Sequence, residues 1–169
     1  MTQPTPIRRV AGSRPRLLDA FCCQGGAAKG YADAGFDVTG IDLNPQPRYP
    51  YTFVQGDAVE YIRAHGHEYD AIHASPPCQH DSECQRIQGR THPDHPAHTV
   101  PQAKMGRPIP PGHYGHYVGN FSGVDRARHV LGVPWMNRDG IRECIPPAYA
   151  AWVGHHALTH LNTRAEVAA

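Results

Sequence analysis

Apolar and polar positions change their period in a regular order along the first half of the chain. Leu17-Leu18-Asp19-Ala20-Phe21 reads as a short buried strand, Gly25 to Ala34 as a helix opened by glycines, and Asp37 to Ile41 as a second strand. Strand, glycine turn, helix and strand make a βαβ crossover. Tyr51 to Val54 then predicts a third strand, Ala58 to His65 a second helix, and Tyr69 to Ala74 a fourth strand. Pro76 and Pro77 stop that strand, because proline fixes φ and lacks a backbone donor. The expected fold class is α/β, an open doubly wound Rossmann-like sheet in a single domain of reduced size.

The pattern changes near residue 85. Residues 86–120 hold Thr91-His92-Pro93-Asp94-His95-Pro96-Ala97-His98 and Arg107-Pro108-Ile109-Pro110-Pro111-Gly112, with almost no apolar periodicity. Such a composition predicts a long Pro/His/Gly-rich loop. Helical periodicity returns at Val124 to Leu131 and at Pro147 to Leu161, joined through Gly132-Val133-Pro134-Trp135-Met136. The expected organisation is a flexible N-terminal segment over 1–15, an α/β core over 16–85, the loop over 86–120, and a helical segment over 121–163.

Composition narrows the class without naming a function. In 169 residues, 16 Lys+Arg face 15 Asp+Glu for a net charge of +1, which excludes a uniformly basic nucleic-acid binder. Basic residues do cluster locally, with Arg8, Arg9, Arg14 and Arg16 at the start and Arg86, Arg90, Lys104 and Arg107 beyond Cys78. Either group suits contact with a polyanion or simply forms a solvated surface. Five cysteines, an odd number, with no signal-like apolar stretch at the N-terminus, point to reduced thiols and a cytoplasmic setting. No run approaches the ~18 apolar residues of a membrane span, so no membrane partner is expected.

Candidate chemistry lies at the strand ends. Asp19-Ala20-Phe21-Cys22-Cys23-Gln24-Gly25-Gly26 sits between a strand and a helix, the context in which a glycine turn receives a nucleotide-like group. Gly40-Ile41-Asp42-Leu43 ends the next strand with an acid placed to accept from ribose hydroxyls. Gly56-Asp57-Ala58 offers a third acid, suited to an adenine amino group. Each aspartate alone also reads as a helix cap or turn former. Ser75-Pro76-Pro77-Cys78-Gln79 then holds one thiol on a rigid turn, either a nucleophile or a small core residue.

In order and spacing, Asp19–Gly26, Gly40–Asp42, Gly56–Ala58 and Ser75–Gln79 resemble the early motifs of the DNA cytosine-5 methyltransferases, over residues 16–85. The Pro-Cys-Gln tripeptide is the most specific part. The resemblance implies S-adenosylmethionine as cofactor and double-stranded DNA with a flipped cytosine as partner. It further implies that Phe21 packs on the adenine, Gly25 lets the backbone approach the methionine moiety, Asp42 binds the ribose and Asp57 the adenine amino group. Leu43 and Pro77 join these cofactor contacts, and Cys78 is the catalytic nucleophile. In that reaction a thiolate adds to C6 of cytosine, C5 takes the methyl group, and loss of the C5 proton expels the thiol. Ile141-Arg142-Glu143-Cys144-Ile145-Pro146-Pro147-Ala148-Tyr149 looks like the family's last motif, which folds back beside the cofactor.

Several departures keep other readings open. Cys23 stands where the family has its first glycine, and Glu143 and Cys144 replace an Asn-Ser pair. Glu-Asn-Val, whose glutamate holds the cytosine in the family, is absent; Arg126-Ala127-Arg128 superficially matches the arginine pair but reads as a solvated helix face. One alternative is therefore a catalytically impaired cofactor-binding remnant acting as a DNA- or protein-binding module. Another is a metal site from Cys78, His80, Cys84, His92, His95 and His98, whose spacing follows no established zinc pattern.

Overall fold

The computed structural model describes residues 13–76, 121 and 123–167, with side chains as far as residue 163. Its elements run β1 (Arg16–Ala20), α1 (Gly26–Ala34), β2 (Asp37–Asp42), β3 (Thr52–Gln55), α2 (Ala58–His65), a 3-10 turn at Gly66–Glu68, β4 (Ala71–Ala74), α3 (Val124–Leu131), α4 (Arg138–Arg142) and α5 (Pro147–Val167). The four strands form one all-parallel sheet in the order β3-β2-β1-β4. This is an α/β architecture compatible with a Rossmann-like fold.

The central strand β1 is buried on both faces, which explains why it reads as a nearly unbroken apolar run. Leu18, Ala20 and Ile41 point to one face and pack with Ala58 and Tyr69 under α2. Leu17 and Val38 point to the other, where Ala28, Tyr31, Phe36 and Ala150 join them beneath α1 and α5. A third cluster, Phe121, Ala127, Val133, Met136 and Ile141, ties α3 to α4.

Helices α1 and α5 approach unusually closely. A Cβ on Gly30 would stand 2.6 Å from both Ala150 Cβ and the Ala151 nitrogen, and against the Pro147 carbonyl. On α5, a Cβ on Gly154 would stand 2.8 Å from Ala34 Cβ. Each helix thus spends one glycine on the other, and the gain is backbone-to-backbone packing that carries α5 beside the start of α1.

Boundaries differ from expectation in places with clear causes. Tyr69 and Asp70 precede β4 because the 3-10 turn, closed by Tyr69 N–H to Gly66 O at 3.3 Å, delays the strand. α5 continues past Leu161 to Val167, with Thr159 and Thr163 hydroxyls donating back to the carbonyls of His155 and Thr159. The short α4 has no apolar period and starts instead on a cap, Asn137, whose side chain accepts from Gly140 N–H at 2.9 Å. Within α3, Arg126 is exposed as expected, whereas Arg128 departs from a solvated role by donating to Met136 O at 2.6 Å. Arg14 and Arg16 also have structural work, at the α1 carboxyl end and against Glu68 and Tyr69. No helix among the described residues is long and apolar enough to cross a membrane.

Candidate functional site

The carboxyl ends of all four strands open on one edge of the sheet, the position where parallel α/β sheets receive ligands. At the end of β1 the chain leaves the ladder abruptly. Phe21 and Cys23 adopt positive φ angles of 59° and 46°, a region costly for residues with a Cβ. Phe21 is therefore outside the strand, and Cys23 holds a glycine-like conformation at the place where the resembled family has glycine. Hydrogen bonds hold the strained turn: Cys22 N–H donates to Ile41 O at 3.2 Å, and Cys23 N–H to Asp42 Oδ2 at 3.1 Å.

Asp42, last residue of β2, is thereby fixed in place. Its Oδ1 accepts from Asn44 N–H at 3.0 Å, so each carboxylate oxygen holds one amide and keeps lone-pair capacity for a second donor. Leu43 follows with its side chain 68% exposed, an apolar surface left beside the acid. Asp57 ends the β3 connection and caps α2, its Oδ1 accepting from Val59 N–H at 2.8 Å and Glu60 N–H at 2.9 Å. The cap reading is correct for this residue, while Oδ2 takes no partner among the described residues. Phe21 is half-buried against Leu18, Ala20 and Ile41.

Gly25 has a reason of its own. It is left-handed, with φ 84°, and a Cβ there would press within 3.0 Å of the Tyr49 ring. Its missing side chain makes room for Tyr49. Pro77 and Cys78 lie outside the described residues, as do the histidines and cysteines of the alternative metal site and the basic residues from Arg86 to Arg107. The root of the Pro-Cys stretch is described: Ser75 N–H donates to Ala20 O at 3.2 Å, which starts that stretch directly beside the Phe21 turn.

Gln24, Asn137 and Trp135 also build this edge and were given no role in the sequence reading. Gln24 reaches across to α4, donating to Asn137 Oδ1 at 2.8 Å and accepting from Asn137 N–H at 3.0 Å. Trp135 Nε1 donates to the Gln24 carbonyl at 2.8 Å. Cys144 Sγ occupies the space where Gly26 would carry a Cβ, and Cys23 Sγ donates to Glu143 Oε2 at 3.6 Å. Thus Cys23 and Glu143, two separate departures from the family pattern, are in contact.

Among the described cysteines none suits an attacking role. Burial holds the Cys22 thiol far above its ordinary range, with Asp19 adding to the effect. Burial also raises Cys23 to about 11 and Cys144 to about 12, so all three stay protonated near neutral pH.

Beneath the turn lies a buried acid that the pattern of residues did not single out as functional. Asp19 is fully buried; its Oδ1 meets His73 Nδ1 at 2.8 Å, the Ala28 amide also favours its charged form, and its Oδ2 has no close hydrogen-bond partner among the described residues. Tyr49 Oη is likewise buried and without a partner among the described residues. The two are close by construction, since Asp19 pairs with Gly40 in register and the Tyr49 hydroxyl lies over Gly40. Burial raises the Asp19 carboxyl above 3.8 and the His73 hydrogen bond opposes it, with burial the larger effect. A raised acid makes the fold bind more protons than the unfolded chain, so stability falls as pH rises from 3.8 through the raised value. Asp19→Asn is expected to flatten that fall and to stabilise the protein near pH 7. Its amide keeps an acceptor for His73 and removes the cost of ionising a carboxyl in a buried site. Urea unfolding across pH checks this; a variant less stable than wild type at pH 7 refutes it.

Comparison with protein-family models, curated proteins and solved structures gives no match for the chain.

Proposed function

We propose that this chain is a DNA cytosine-5 methyltransferase that binds S-adenosylmethionine on the carboxyl edge of its sheet and uses Cys78 as nucleophile. The observation that carries the reading is the convergence of four strand ends. The Phe21–Gly25 turn, Asp42, Asp57 and the start of the Ser75–Gln79 stretch all meet on one edge, in an order that fits a nucleoside ligand.

Sheet order sets the direction of that ligand. Asp57 follows β3, Asp42 ends β2 and the strained turn follows β1, so adenine, ribose and the sulfonium end would lie successively over β3, β2 and β1. Exposed Leu43 supplies a face for the base, and the fixed Asp42 carboxylate accepts from ribose hydroxyls. β4 is the other neighbour of β1, so Ser75, at the root of the Pro-Cys stretch, stands on the sulfonium side. The chemistry of transfer rests on Cys78 and on the resemblance of its Pro-Cys-Gln turn.

Incubation with duplex DNA and methyl-labelled S-adenosylmethionine tests the reading. Wild type is expected to label the DNA. Cys78→Ser is expected to bind cofactor with unchanged affinity and to transfer no label, because a hydroxyl is a far weaker nucleophile toward C6. Binding of cofactor without any transfer by wild type would favour the impaired remnant; absence of cofactor binding would overturn both readings.

A further inference from the structure

The turn after β1 carries more negative charge than its described surroundings balance. Asp42 and Glu143 flank Cys23 from opposite sides, one through the Cys23 amide at 3.1 Å and the other through its thiol at 3.6 Å. The described ion pairs involve other acids, and neither Asp42 nor Glu143 has a cation within ion-pair distance among the described residues. The buried Asp19 beneath the same turn is paired with His73 at 2.8 Å and is not part of this imbalance, which rests on Asp42 and Glu143. A ligand with a positive end compensates this arrangement; an anionic end does not.

The two exposed ends of the site differ in what they can meet. Asp42 is committed to two amides at the β2 position, where the ribose lies in the proposed orientation. Glu143 stands one strand further, beside the β1 turn, on the loop between α4 and α5. That loop is held firmly: Gln24 locks the α4 cap Asn137, and Cys144 packs on Gly26. Glu143 is itself exposed and, among the described residues, its carboxylate is engaged only by a weak S–H donor, which leaves it available to a stronger one.

We infer that Glu143 is a specificity-determining residue, selecting the ligand by the ammonium group of its amino-acid end. The inference rests on the cofactor reading above and names the residue that reads the end of the ligand furthest from adenine. It also gives the Cys23–Glu143 contact a purpose, since a glycine at position 23 would leave Glu143 without the thiol that orients it.

Calorimetric titration of the full chain with S-adenosylhomocysteine and with its deaminated analogue, which keeps the carboxylate but lacks the ammonium, tests the inference. Wild type is expected to bind S-adenosylhomocysteine about tenfold or more tighter than the analogue, as for one charge-assisted hydrogen bond. Glu143→Gln is expected to lose that preference by weakening S-adenosylhomocysteine alone, and Glu143→Asp to retain part of it. Equal wild-type affinities for the two compounds overturn the inference without recourse to any variant. So does a Glu143→Gln protein that weakens both compounds equally; in either case the cofactor reading survives. Failure of wild type to bind either compound overturns the cofactor reading and this inference together.

Discussion

Asp42→Ala is expected to lower affinity for S-adenosylmethionine by about 100-fold while leaving the sheet folded. Two ribose hydroxyls donating to one carboxylate give two charge-assisted hydrogen bonds, and about 3 kcal/mol for the pair corresponds to roughly that factor. Pre-orientation makes the full effect available. Cys23 N–H at 3.1 Å and Asn44 N–H at 3.0 Å hold the carboxylate before any ligand arrives, so little side-chain entropy is lost on binding. The same contacts give the substitution a second consequence. Without Asp42 Oδ2, the Cys23 amide loses the acceptor that helps hold its positive φ, and the turn loosens. Asp42→Asn separates the two effects, because its carbonyl oxygen still accepts one amide while the charge is gone. Calorimetric titration and thermal melting of both variants check the prediction. Wild-type affinity in Asp42→Ala would remove the ribose role, and equal losses in melting temperature and affinity would assign Asp42 to the turn alone.

The centre of the sheet was legible because burial on both faces leaves a strong mark. β1 and β2 lie in the centre and carry Leu17, Leu18, Val38 and Ile41 toward two cores, which no surface segment requires. The acids at the strand ends were legible for a related reason, since each breaks an apolar run where the ladder ends. Asp57 shows the limit of that signal: a helix cap and a ligand acid have the same residue type at the same place, and here the cap is made.

Contacts across the chain left no local signal. Gln24 and Asn137 are 113 residues apart, and nothing near either predicts that one completes the other's hydrogen bonds. α4 was missed because its start depends on that cap rather than on periodicity. The Cys23–Glu143 contact, 120 residues apart, was visible only as two unconnected departures from a family pattern. Phe21 extended an apolar run and so read as strand, whereas its φ of 59° makes it the first residue of the turn. Gly25 and Gly26 read as openness toward a ligand; Tyr49 and Cys144 fill the room they leave.

Gly30→Ala is expected to destabilise the protein by about 1–3 kcal/mol, and Gly30→Val by more. Helix propensity alone gives the opposite sign, since alanine within a helix is favoured over glycine by about 1 kcal/mol. Packing decides against propensity at this position. The added Cβ meets the Pro147 carbonyl, Ala150 Cβ and the Ala151 nitrogen, the last two at 2.6 Å, and none of these is the movable end of a flexible side chain. Relief therefore requires α5 to shift as a body. That shift withdraws Ala150 from the core it shares with Tyr31 and Phe36, and loosens Ala157, Leu158 and Leu161 against the same cluster. It also moves the segment that precedes α5. Cys144 packs on Gly26 and Glu143 contacts Cys23, so the β1 turn loses its outer support as α5 retreats. Stability and ligand affinity should consequently fall together in Gly30→Ala, although residue 30 lies a full helical turn from Gly26. Urea unfolding followed by titration with S-adenosylhomocysteine measures both. A Gly30→Ala protein as stable as wild type would mean that α1 and α5 can separate freely, and the close crossing would then have no part in holding the site.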